Sequence, residues 1–102
     1  MFKIKADPTF EAAITIVGQG REQKLNVVFR HKKRSEYMAL LERLKSDEAS
    51  SAEVILAVVE SWDADAPLTA ASIAELQDEQ PGVDWAIVQT YGEALAVARK
   101  GN

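Results

Sequence analysis

The chain has 102 residues, 47% of them hydrophobic and 27% charged, which is the composition of a globular protein and excludes a disordered tail. Cysteine is absent and His31 is the single histidine, so disulfides, thiol catalysis, cysteine-based metal sites and a His-rich metal cluster are all excluded. A net charge of −4 gives no global attraction to a nucleic-acid backbone.

The first third alternates with period two. Phe2 and Ile4 alternate with Lys3 and Lys5, which predicts a short strand, and Asp7-Pro8 ends it because proline lacks an amide donor. From Phe10 the alternation resumes, with Phe10, Ala12, Ile14 and Ile16 on one face and Glu11, Ala13, Thr15 and Val17 on the other. Gly18-Gln19-Gly20 follows, then Leu25, Val27 and Phe29 alternate with Lys24, Asn26, Val28 and Arg30. Two such runs around a glycine-rich loop predict an antiparallel hairpin, with a loop longer than two residues and one polar, uncovered face.

After Arg34 the period becomes helical. Ser35 is the expected cap of a first helix carrying Tyr37, Leu40, Leu41 and Leu44 at i, i+3, i+4 and i+7. Ser50 and Glu53 have capping-box spacing and open a second helix, whose stripe is Val54, Ile55, Val58, Val59 and Trp62. Thr69 caps a third helix with Ile73 and Leu76, stopped at Gln80-Pro81-Gly82. A fourth, over about 84–100, places Trp85, Val88, Tyr91 and Leu95 on one side, with Ile87 and Ala94 beside them. Arg99 and Lys100 in its last turn complement the helix dipole. Strands followed by helices predict an α+β fold: a small antiparallel sheet (hairpin plus short strand) over residues 1–31, and about four helices over 35–100 packed on one face of it. One domain over 1–102 is expected, because a single core organises about 100–150 residues.

The charge is unevenly spread. Residues 1–34 carry eight Lys/Arg and three Asp/Glu, a net of +5, whereas residues 35–102 carry four against thirteen, a net of −9. Part of this split is expected to be satisfied where sheet and helices meet. Arg30, His31, Lys32, Lys33 and Arg34 form a basic cluster at the boundary. Lys and Arg there suit phosphate contact, yet no aromatic residues interleave and no nucleic-acid signature surrounds them, so a solvated junction or an acidic protein partner is the better reading.

No catalytic constellation emerges. Asp63, Asp65, Thr69 and Glu75 have the look of a calcium loop, but Leu68 and Ala74 stand where the EF-hand pattern needs glycine and a bidentate glutamate, and Pro67 replaces a ligand. His31 has no partner nucleophile or carboxylate at diagnostic spacing, and Gly18-Gln19-Gly20-Arg21 lacks the ending of a phosphate loop and leads into a strand. No cofactor, metal or catalytic residue is assigned. The acids read as scattered over helix surfaces. No apolar run approaches the ~20 residues of a membrane helix, and residues 1–5 contain no extended apolar stretch of a signal peptide, so a cytoplasmic protein with no membrane partner is expected.

Several segments, in order, carry a family resemblance: Ala6-Asp7-Pro8-Thr9-Phe10-Glu11-Ala12, Val28-Phe29-Arg30-His31-Lys32, Glu60-Ser61-Trp62-Asp63, Ala66-Pro67-Leu68-Thr69, Gln80-Pro81-Gly82 and Ala98-Arg99-Lys100. Over nearly the whole chain the sequence resembles the small tail assembly chaperones encoded by tailed phages and prophages. The resemblance implies a non-enzymatic role in virion morphogenesis. Such chaperones associate with the long helical tape-measure protein, keep it soluble, help to recruit tail-tube subunits and are absent from the finished virion. A helical chaperone can cover an exposed apolar stripe by helix-in-groove contact. The expected contact residues are Arg30, Lys32, Lys33 and Arg34 of the basic junction, or the edge formed by Trp62 and Pro67; Trp62 and Trp85 otherwise read as core. A small nucleic-acid-binding regulator using the 30–34 cluster is the alternative. An exposed hairpin edge or helix would support a homo-oligomer, though no residue pattern specifies one.

Overall fold

In the computed structural model, which describes residues 1–97, two ten-residue strands, β1 (Thr9–Gly18) and β2 (Arg21–Arg30), form an antiparallel hairpin from Thr9↔Arg30 to Gly18↔Arg21 without a bulge. Two residues make the turn, not the longer loop expected. Gln19 and Gly20 have φ of 53° and 74°, the paired left-handed conformation whose twist matches that of the strands it joins.

The alternation has its expected effect. Ile14, Val27 and Phe29 are buried, Phe10, Ala12, Ile16 and Leu25 pack partly against them, and Glu11, Ala13, Thr15 and Val17 face outward. Phe10 pairs with Phe29 across the ladder, their rings 5.5 Å apart.

The third strand is not the one the alternation at residues 2–5 predicted. Residues 1–8 form no strand, and Phe2 and Ile4 are 87% and 95% exposed. β3 (Val59–Trp62) instead follows directly on α2 (Ser51–Val58) and pairs antiparallel with β2, giving the order β1-β2-β3. The single helical stripe from Val54 to Trp62 is therefore split at Val58/Val59. The open edge of β2 supplies backbone partners there that a longer helix would leave unmet. Val59 lies opposite Phe29 and Trp62 opposite Val27, with a bulge between.

The remaining helices are α1 (Arg34–Lys45), α3 (Ala70–Glu79) and α4 (Val83–Leu95). Ser50 and Thr69 cap α2 and α3 as expected, their hydroxyls accepting from the amides of Glu53 and Ser72, both at 3.2 Å. Ser35 does not cap α1. That helix begins two residues earlier, capped at Lys33, whose amide donates to the Glu36 carboxylate at 2.8 Å. α4 ends at Leu95, where Ala96 turns extended, so the expected extent to 100 is too long; Arg99 and Lys100 lie outside the described residues.

One buried cluster joins the sheet to α2, α3 and α4, with Ile55, Val58, Ile73, Ile87 and Tyr91 among its members. Trp85 does not belong to it and is 55% exposed; the inward face of α4 is Val83, Asp84, Ile87, Val88 and Tyr91. α1 contributes no fully buried residue, although Tyr37, Leu40 and Leu44 rest on the cluster.

Candidate functional site

The basic junction divides on folding. Arg30 turns to the helical half, its Nε donating to Glu60 at 2.6 Å and its Nη1 to the Leu56 carbonyl at 3.2 Å. Its own carbonyl accepts from the Tyr91 hydroxyl at 2.8 Å, so this residue ties β2 to β3, α2 and α4 at once. Lys33 stands exposed at the start of α1. His31, Lys32 and Arg34 border an open groove of about 390 Å³ between the start of α1 and the end of α4.

The rest of that groove is Tyr37 and Met38 of α1 together with Gly92, Leu95, Ala96 and Val97. Met38 is 53% exposed and Val97 96%, so apolar surface lies open beside the cations. Gly92 sets how closely the helices approach, because a Cβ there would lie 2.5 Å from the Tyr37 Oη. Tyr37 and Leu95 read as core from their spacing; Met38 and Val97, off every stripe, were the signal of an uncovered surface.

The Trp62 and Pro67 edge is a different place. Trp62 is half-buried, and its Nε1 donates to the Ala66 carbonyl at 2.8 Å, closing the 63–67 turn. Pro67 is exposed on that turn. A cleft beside it runs from Trp62 and Ala66 to Leu76 and carries Asp65, Glu75 and Glu79 on its rim. The structure thus gives two surfaces of opposite charge, one basic and apolar, the other acidic.

Two acidic side chains, Asp63 and Asp84, have structural partners. Asp63 binds the side-chain amide of Asn26 at 2.6 Å and its backbone amide at 2.8 Å, contacts that lower its carboxyl from the usual value. Asp84 is not on a helix surface as expected. It is 6% exposed and accepts from Ser51 at 2.8 Å and Gln77 at 3.0 Å. Burial pushes its carboxyl up, but the hydrogen bonds from Gln77 and Ser51, with backbone amides, outweigh this and leave it lowered. Ends of α2, α3 and α4 meet at this one carboxylate. Among the described residues no three His, Asp or Glu side chains converge as a metal site, and no helix is long and apolar enough to cross a membrane.

The α+β scaffold thus presents two open surfaces, one basic and apolar and one acidic, of the kind that protein contacts use. The family model for phage tail assembly chaperone matches residues 1–102, and the chain belongs to that family of non-enzymatic assembly factors. No curated protein and no solved structure matches it.

Proposed function

We propose that this chaperone binds a helical segment of the tape-measure protein in the α1/α4 groove, in the cytoplasm of the bacterial host, and holds it soluble while the tail tube assembles. The observation that carries this reading is the pairing of exposed apolar side chains, Met38 and Val97, with the cationic border of His31, Lys32 and Arg34. An amphipathic helix with acidic flanks would bury its stripe on the first group and meet the second. The edge of Trp62 and Pro67 is a second proposed contact, whose acidic neighbours suit a basic stretch on the tail-tube protein. The nucleic-acid alternative is weakened by the diversion of Arg30 to Glu60, which removes one charge from the cluster it relies on.

Pull-down of the tape-measure protein tests the groove. A Lys32→Glu/Arg34→Glu variant and a Met38→Glu variant, each folded by circular dichroism, are expected to bind about 10-fold more weakly. Undiminished binding by both removes the groove from consideration. Arg30 is left intact in this test, because its guanidinium is a structural strap. Trp62→Ala is a poor companion variant for the same reason: the indole closes a turn and packs on the core.

A further inference from the structure

We infer that β1 is the docking edge for a second copy of this chain, pairing antiparallel with its counterpart about Ala13 to join two three-stranded sheets into one. The two edges of the sheet are unequal. β3 is four residues long and follows a bulged pairing, the kind of edge that resists further strand addition. β1 is ten residues long and unbulged, contains neither lysine, arginine nor proline, and carries a single charge, Glu11. Outside its ladder with β2, no backbone hydrogen bond joins β1 to any other segment among the described residues. Natural sheets blunt such an edge with the devices missing here.

What fits the edge follows from its own sequence. A two-residue turn makes Gly18 and Arg21 a hydrogen-bonded pair, so the even-numbered residues of β1 bond to β2 and the odd-numbered ones present their amides and carbonyls outward. Pairing two copies with Ala13 opposite Ala13 sets Glu11 opposite Thr15 and Thr9 opposite Val17, all odd-numbered, and forms a ladder of about ten backbone bonds. The same register sets Phe10 opposite Ile16 and Ala12 opposite Ile14 on the core face, favourable aromatic–aliphatic and aliphatic pairs. The two Glu11 carboxylates then fall four residues out of register, about 13 Å apart along the strands. A shift of four residues that made Glu11 face Glu11 would oppose like charges, and a shift of one would turn apolar side chains to the polar face.

Charge exchange at Ala13 tests the proposal. Ala13 faces outward, and its neighbour within the chain is the neutral Asn26, so a charge there leaves the hairpin intact. By sedimentation equilibrium at about 100 µM the wild-type chain is expected at twice its 11.2 kDa mass. Ala13→Lys and Ala13→Glu, each with the circular dichroism of the wild type, are expected to be monomers, and their equimolar mixture a heterodimer. A monomeric wild type overturns the inference, as do singly charged variants that dimerise like wild type. A monomeric wild type whose Ala13→Lys variant no longer captures the tape-measure protein would assign the edge to that partner, and equally overturns it.

Discussion

Tyr91 joins α4 to β1, β2 and α1. It is 1% exposed, stacks on Phe10 at 6.0 Å, and meets Phe29 and Tyr37 edge-on at 5.1 and 5.7 Å. Its hydroxyl donates to the Arg30 carbonyl. Burial, reinforced by electrostatic repulsion from the adjacent Tyr37 phenol and the Glu36 carboxylate, pushes its phenol up to about 12. In the unfolded chain the phenol titrates near its ordinary value of about 10. The folded state therefore holds the proton more tightly: this stabilisation is fully present below pH 10 and is lost as pH rises to about 12. Tyr91→Phe is expected to lower stability by about 1–2 kcal/mol at pH 7, because the Arg30 carbonyl loses this donor. It should also flatten the decline between pH 10 and 12; urea unfolding at pH 7, 10 and 11 measures both. The helical spacing of Tyr91 made its burial legible. Its hydroxyl's partner, 61 residues away, was not, because no local pattern encodes a contact at that range.

Single elements were legible where one period ruled, and misread where two competed. The faces of β1 and β2 followed from alternation, since each strand has one neighbouring sheet face to bury. The α2–β3 junction did not, because Val54, Ile55, Val58, Val59 and Trp62 satisfy a helical stripe, while Val59 and Trp62, three residues apart, share a strand face only through the bulge opposite β2. Backbone pairing with β2 decides between them, and that is a tertiary effect. Trp85 fell on an apolar stripe, yet the inward face of α4 is rotated toward Asp84, whose bonds to Ser51 and Gln77 spacing does not reveal. The hairpin turn carries a correctable strain: Gln19 adopts φ 53° without being glycine or asparagine. Gln19→Asn retains the turn and is expected to stabilise the chain by about 0.5 kcal/mol, read as a raised denaturation midpoint at unchanged slope.

At the scale of the molecule, cohesion is uneven. β1, β2, β3, α2, α3 and α4 share one buried cluster, whereas α1 rests on it without a fully buried residue. Local opening costs least where few apolar contacts resist it. Hydrogen exchange is therefore expected to strip protection from the amides of α1 before those of α2 and α4, by about 10-fold or more in rate. Partner binding in the groove should restore that protection; a first helix as protected as α4 in the free chain would contradict the expectation. Among the described residues, the charge division visible in the sequence is met by one ion pair, Arg30 with Glu60, which spans the basic and acidic regions. The groove and the acidic cleft were not legible as surfaces. Each is assembled from elements distant in sequence: the start of α1 with the end of α4, and β3 with α3.

The bond from Tyr91 to Arg30 also fixes an order of events at the ribosome. The hairpin is complete in sequence by residue 30 and can pair as soon as it emerges, but the aromatic ring that covers Phe10 and Phe29 is synthesised 61 residues later. At bacterial elongation rates of about 20 residues per second the interval is about 3 s, and several times longer on a slow message. Throughout it the part of the sheet face around Phe10 and Phe29 that Tyr91 covers stays open. Until α4 is made, this assembly chaperone carries an apolar surface of its own to cover.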